Sequence, residues 1–225
     1  MLTPIAHIEC DLSEKFGVPR QAGLVDIPAV IVFEPEYRIA EALRGIDGYD
    51  YLWLVWQFNL TADAGWHPTV RPPRLGGNQR VGVFATRSPF RPNPIGLSSV
   101  RLERVEMDSE RGPLLHIVGA DLVDGTPIYD IKPYLPYTDS HPDARCAFGS
   151  NGSDRQLEVT CGDGVRHDTL TSAQWEALRQ ILANDPRPRY QDDPERSYTM
   201  SFGGKEITFQ VQGNQLKIEK IEKKR

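Results

Sequence analysis

Apolar positions along this chain fall in short runs over residues 5–10, 29–33, 51–58, 81–86, 98–105, 114–118 and 128–131. Each run is rich in β-branched or aromatic side chains, and Gly, Pro or Asp separates it from the next. Runs of that length bounded by turn formers predict strands. One stretch breaks the rhythm: Ile39, Ala40 and Leu43 share a face over residues 36–43, ahead of Gly45, which predicts a short helix. Many strands and a single helix predict a mainly β N-terminal domain over residues 1–140. Closing the strands into a barrel is the simplest way to remove exposed sheet edges, with a sandwich as the alternative.

Over residues 138–153 the composition turns to Asp, Ser, Pro, Gly and Asn, which predicts a linker at 141–155. Residues 157–161 then read as a strand. Thr171 with Gln174 three residues on forms a helix start, Trp175, Leu178, Ile181 and Leu182 give that helix an apolar face, and Pro186 lies beyond its end. Ile207, Phe209 and Val211 alternate with polar residues, Gly213-Asn214 supplies a turn, and Leu216, Ile218 and Ile221 carry a return strand. Residues 156–225 therefore read as a small α+β C-terminal domain.

Charge changes the picture. The chain of 225 residues has formal net charge -5, yet between Ala64 and Leu102 it carries Arg71, Arg74, Arg80, Arg87, Arg91 and Arg101 with no Asp, Glu or Lys. Prolines and glycines alternate with these arginines, so most of them sit on turns with preset backbone angles. Ordinary surfaces mix both signs, and an acid-free run of preplaced guanidinium groups points to an anionic partner. The negative total argues against non-specific binding to long nucleic acids such as DNA, while a defined RNA meeting only the basic face stays compatible. No apolar run approaches the ~20 residues that span a bilayer, and residues 1–10 do not read as a secretory leader, so no membrane association and a cytoplasmic location are expected. Cys10, Cys146 and Cys161 read as reduced thiols, and the five histidines show no metal-ligand spacing, so no metal is expected.

Nucleotide-binding signatures of the Rossmann and phosphate-loop kinds are missing. Instead there are four dense strings of turn formers: Val18-Pro-Arg-Gln-Ala-Gly23, Pro72-Pro-Arg-Leu-Gly-Gly-Asn78, Ala85-Thr-Arg-Ser-Pro-Phe-Arg-Pro-Asn-Pro-Ile-Gly96 and Asp121-Leu-Val-Asp-Gly-Thr-Pro-Ile-Tyr-Asp-Ile-Lys-Pro-Tyr134. Together with Asp185-Pro-Arg-Pro-Arg-Tyr190 they resemble, nearly end to end, the TsaA-like or TrmO family of tRNA methyltransferases. The resemblance implies a non-Rossmann β-barrel, a homodimer, and S-adenosylmethionine as methyl donor. It further implies methylation of N6 of threonylcarbamoyladenosine at position 37, in the tRNA anticodon stem-loop.

Carried over by position, the resemblance assigns the donor site to Pro19, Arg20 and Gln21, to Asn59 and Leu60, to Arg87 and Leu97, and to Asp121, Leu122, Val123 and Asp124. Relatives are expected to carry a His-Gln pair where this chain has Asn59-Leu60, so contacts there are made by backbone or differ. The donor offers a carboxylate, an adenine, ribose hydroxyls and a sulfonium, which one arginine, a few main-chain groups and a carboxylate cover. Methyl transfer to an amide-like nitrogen also calls for a proton acceptor, for which Asp124 or Asp130 is nominated, with Tyr134 as hydrogen-bond partner. Arg71, Arg74, Arg80 and Arg91 are expected at RNA phosphates. Arg187, flanked by prolines, reads either as an RNA contact or as a structural anchor. Trp53, Trp56 and Phe58 read as barrel core and His116 as an ordinary strand residue. The competing classes are a non-catalytic RNA- or nucleotide-binding barrel and a methyltransferase with another substrate.

Overall fold

The computed structural model describes residues 2–72, 79–146, 156–187 and 193–224. Its first part is built from β1 (Ala6–Cys10), β2 (Pro28–Phe33), β3 (Tyr51–Gln57), β4 (Thr69–Val70), β5 (Val81–Gly82), β6 (Ile95–Glu106), β7 (Leu114–Val118) and β8 (Pro127–Pro133). Six of these close into a barrel in the order β1-β2-β7-β6-β3-β8, while β4 and β5 form a small hairpin in the connection from β3 to β6. Every neighbouring pair of barrel strands is antiparallel. Strand direction therefore alternates around the barrel, and the connections 11–27, 58–94 and 119–126 all emerge at one rim, called here the upper rim. That geometry gathers the loop strings 18–23, 85–96 and 121–124 at one end of the molecule, while residues 73–78 of the remaining string lie outside the described residues.

The interior is filled by alternate positions of each strand, with Ile8, Ile31, Leu52, Leu54, Ile117 and Ile128 fully enclosed. Trp56 points inward and lies flat on Gly96, its partner across β3 and β6, where a Cβ would collide with the indole. Trp53 departs from the core expectation. It is on the outer face, where its Nε1 donates to Asp139 at 2.8 Å and its ring tilts against Tyr134. Asp139 ends a single helical turn, α1 (Pro136–Asp139).

Two further expectations are corrected. Residues 36–43 form no α-helix but two 3-10 turns, Pro35–Tyr37 and Ala40–Leu43, with Ile39 exposed and only Leu43 buried. Eight residues with so little to bury do not repay helix nucleation. Arg38 instead donates through Nε to the Phe33 carbonyl, turning the chain under the lower end of the barrel. Over residues 81–86 only β5 is extended, and Val83–Ala85 is a 3-10 turn. Thr86 Oγ1 and Arg91 Nη1 both donate to the Val83 carbonyl, replacing the ladder that a strand would need.

The second part comprises β9 (Glu158–Cys161), α2 (Ser172–Ala183), β10 (Ser197–Phe202), β11 (Lys205–Gln212) and β12 (Gln215–Lys223), with sheet order β10-β11-β12-β9. The fold is therefore mainly β, a barrel followed by a small α+β unit. Thr171 caps α2 in a reciprocal capping box with Gln174. Leu178, Ile181 and Leu182 of α2 pack on Met200, Phe202 and Phe209 of the sheet, and Leu12, Val25 and Ile27 from the β1–β2 connection belong to the same core. That connection is thus clamped between the barrel and the C-terminal unit.

Candidate active site

At the upper rim three loops meet through one set of polar contacts. Asp121, just past β7, accepts from the Ser98 hydroxyl at 2.5 Å, and Ser98 Oγ accepts from Trp56 Nε1 at 2.9 Å. The main-chain N–H of Ala22 also reaches the Asp121 carboxylate, and Arg87 lies close enough to act on its charge. Arg87 Nη1 in turn donates to Gln21 Oε1. Gly23 and Gly119, both at positive φ, pass so closely that Gly23 N–H donates to the Gly119 carbonyl at 2.9 Å, locking the first loop to the last. Burial holds the Asp121 carboxyl above the usual carboxylate range, opposed by the Ser98 hydrogen bond and the Arg87 charge.

The other residues named from sequence fall around this cluster. Leu97, beside Ser98 on β6, is exposed, Pro19 is half-buried, and Leu122 is buried with Val123 half-buried above it. Asn59 and Leu60 open an exposed 3-10 stretch at the same rim, and the Leu60 carbonyl accepts from Lys15 Nζ. Arg20 turns the other way. Its Nη2 donates to the carbonyls of Asp185 at 3.1 Å and Arg187 at 3.3 Å. Asp124 accepts from the Cys10 N–H at 3.0 Å and faces the outer flank of β1, β2 and β7. Asp130 lies on the outer wall, in one cross-strand row with Val55 and Leu97, paired with Lys132 at 2.7 Å. Tyr134 is at the far end of β8 from the rim, its ring against Tyr51 and Trp53. Among the described residues its hydroxyl bonds to neither Asp124 nor Asp130: Asp124 lies beyond the other end of the seven-residue β8, and Asp130 sits four positions back along it.

The basic residues divide into open and committed ones. Arg71 is exposed, and Arg80 is exposed and donates to Thr69 Oγ1 at 3.2 Å. Arg91 is half-buried, with Nη1 donating to the Thr86 carbonyl at 2.7 Å and the guanidinium over Phe84. Arg74 lies outside the described residues. Arg187 is 7% exposed and forks onto Asp185 at 2.8 and 2.9 Å, the contacts expected of an anchor for its turn. Ser98 escaped the sequence analysis. Its signal was the alternation Gly96, Ser98, Val100, which sets a hydroxyl among core positions.

A half-buried carboxylate, a tethered guanidinium, a carboxamide and main-chain groups at a barrel mouth, beside an arginine-rich loop, suit a small zwitterionic ligand and an anionic macromolecule. Residues 7–140 match the family described as tRNA-methyltransferase O N-terminal domain, and residues 155–224 match the TrmO C-terminal domain. A tRNA (adenine(37)-N6)-methyltransferase of Escherichia coli (strain K12) is 43% identical over 201 residues, covering 87% of this chain and 85% of that protein. One of the same name from Eikenella corrodens is 46% identical over 173 residues, covering 77% of this chain and 97% of that protein. The crystal structure of TrmO from Pseudomonas aeruginosa superposes with a TM-score of 0.78 at 30% identity, over 98% of each chain. With both parts matched in order along nearly its whole length, this chain belongs to the TrmO family.

Proposed function

We infer that this protein is an S-adenosylmethionine-dependent methyltransferase that modifies N6 of adenosine 37 in tRNA. The observation that carries this reading is the convergence of loops 18–23, 85–98 and 119–124 on Asp121, Arg87 and Gln21, within and beside the acid-free, arginine-rich stretch from Ala64 to Leu102. The residues fit the donor: Arg87 matches a carboxylate, Asp121 matches hydroxyls or an ammonium, and Leu97 and Leu60 offer exposed apolar surface for a flat ring. When bound, S-adenosylmethionine supplies an electrophilic methyl carbon on a positively charged sulfur.

The chain's own part is largely positioning. Gln21 tethers Arg87, and Ser98 and the Ala22 N–H fix Asp121, so the donor-binding groups are held before any ligand arrives. Arg71 and Arg80 hold phosphates of the anticodon stem-loop while the target base is splayed toward the rim. Within this reading the acceptor is threonylcarbamoyladenosine, and a carboxylate of this chain would take the N6 proton displaced by methylation. Asp130 is the better placed of the two nominated acceptors, because it shares the outer row with Leu97 while Asp124 is turned onto the Cys10 N–H. The barrel is the donor-binding part, and the enzyme works in the cytoplasm as a homodimer.

Incubating the purified chain with S-adenosylmethionine and tRNA from cells lacking the modification, then digesting and weighing the nucleosides, should reveal one added methyl on the position 37 nucleoside. Unmodified adenosine accepting the methyl equally well would remove the threonylcarbamoyl assignment. Tight binding of tRNA with no transfer at all would leave a binding module.

A further inference from the structure

The connection from β3 to β6 displays aromatic rings that the barrel does not bury. Phe84 is 74% exposed and Trp66 is 52% exposed. Phe84 sits in the 3-10 turn Val83–Ala85, and the residues after Trp66 are hydrogen-bonded to its surroundings. Val83 N–H donates to the Pro68 carbonyl at 3.0 Å and His67 N–H to the Phe90 carbonyl at 3.3 Å, which holds the segment after Trp66 against the segment around Phe84. Arg91 stiffens the same cluster by donating to the Thr86 carbonyl at 2.7 Å, and its Cζ lies 5.9 Å from the centroid of the Phe84 ring. The phenyl is thus backed by a guanidinium while most of its surface stays open.

A single exposed aromatic needs no special reason. Two on one hydrogen-bonded connection, inside a stretch with six arginines and no acidic residue between Ala64 and Leu102, do. A second copy of this chain in a two-fold interface would set that basic stretch against itself, like charge facing like. Single-stranded nucleic acid brings what the surface lacks: flat π faces for the rings and phosphates for Arg71 and Arg80. An enzyme that splays out one nucleotide also removes the stacking partner of its neighbours, and protein rings can replace it.

We propose that Phe84 and Trp66 form a stacking platform for the unpaired anticodon-loop bases flanking the methylated adenosine, an inference that rests on the tRNA reading above. The test compares full-length wild type with Phe84→Ala, Trp66→Ala, Phe84→Leu and Phe84→Trp, measuring tRNA affinity over a salt series, S-adenosylmethionine affinity, and sedimentation. The alanine variants should bind tRNA roughly 5- to 100-fold more weakly. Their slope of log affinity against log salt should match wild type, because no phosphate contact is removed, whereas Arg80→Ala should flatten the slope by about one unit. Phe84→Trp should bind like wild type and Phe84→Leu like the alanine variant. Donor affinity should not move. Alanine variants that bind tRNA normally, a leucine that rescues, or a shift toward smaller species in sedimentation would each overturn the platform, the last by making the patch a subunit interface. A wild type that neither binds nor modifies tRNA would instead overturn the functional reading beneath it.

Discussion

Ser98 is a hydroxyl residue 2% exposed among core positions of the barrel, and it is tolerated there because it accepts from Trp56 and donates to Asp121. Ser98→Ala leaves an indole N–H without its acceptor and the Asp121 carboxylate short of a donor. It should destabilise the fold by about 1–3 kcal/mol and weaken S-adenosylmethionine binding, both readable by thermal melting and calorimetric titration. Loss of stability with unchanged donor affinity would confine Ser98 to the core. Asp121 carries a pH signature. Burial raises its native value above the unfolded one, so the folded state binds the proton more readily, and stability falls as pH rises from the ordinary carboxylate range through the raised value. Asp121→Asn abolishes that fall: the variant should melt higher than wild type at pH 8 and converge with it below about pH 4, while binding donor more weakly throughout. Equal melting at pH 8 would mean the buried charge is already compensated. Asp121, Arg87 and Gln21 were nominated from the sequence, on turn-former strings matched to the family, whereas Ser98 stood inside a strand run and only its neighbours in three dimensions give it meaning.

At the scale of elements, legibility followed what each segment buries. The run 114–118 is β7 as observed: Leu114, Leu115, Ile117 and Val118 are all buried between its barrel neighbours β2 and β6, and a short apolar run bounded by turn formers announces such a strand. The capping residues of α2 likewise announce its start, and Thr171→Ala should cost about 1 kcal/mol and lower the melting midpoint by a few degrees. An unchanged midpoint would mean that packing alone sets this helix. Residues 36–43 and 81–86 misled because the apolar pattern was weak and short-range bonds from arginine side chains to the backbone decided: Arg38 binds the Phe33 carbonyl, and Arg91 gathers the carbonyls of Val83, Thr86 and Ser88. β10 was missed outright. Its apolar residues Tyr198, Met200 and Phe202 alternate with Thr199 and Ser201, but its sheet partner follows after only the Gly203-Gly204 turn, a signal carried by pairing more than by composition.

Over the whole molecule, the C-terminal unit builds the 11–27 loop, the first of those proposed to hold the donor, as much as the barrel does. Gln174 Nε2 donates to both oxygens of Asp11, Gly203 N–H to the Asp11 carbonyl, Ser201 N–H to Glu14, and Asp26 N–H to Gln180 Oε1. Arg20, one residue before Gln21, hangs from the carbonyls of the Asp185–Arg187 turn, and that turn is held by the Arg187 fork. Composition could mark the two units, but it could not tell that Leu12, Val25 and Ile27 complete the second core. Two consequences follow from the shared loop. Arg187→Ala should lower stability by about 1–3 kcal/mol and reduce donor affinity through Arg20 and Gln21, with tRNA affinity at saturating donor close to wild type; a normal melt with weakened tRNA binding would make Arg187 an RNA contact after all. Leu12→Ala, a change outside the C-terminal segment in sequence, should cost about 2–5 kcal/mol and move the melting of the entire chain. Because one core spans the junction, neither unit can unfold without exposing apolar surface of the other, so calorimetry should record one transition whose calorimetric and van't Hoff enthalpies agree. Two resolved transitions, with only the C-terminal one displaced by Leu12→Ala, would show that the loop is merely leaning on its neighbour and that the donor site is assembled by the barrel alone.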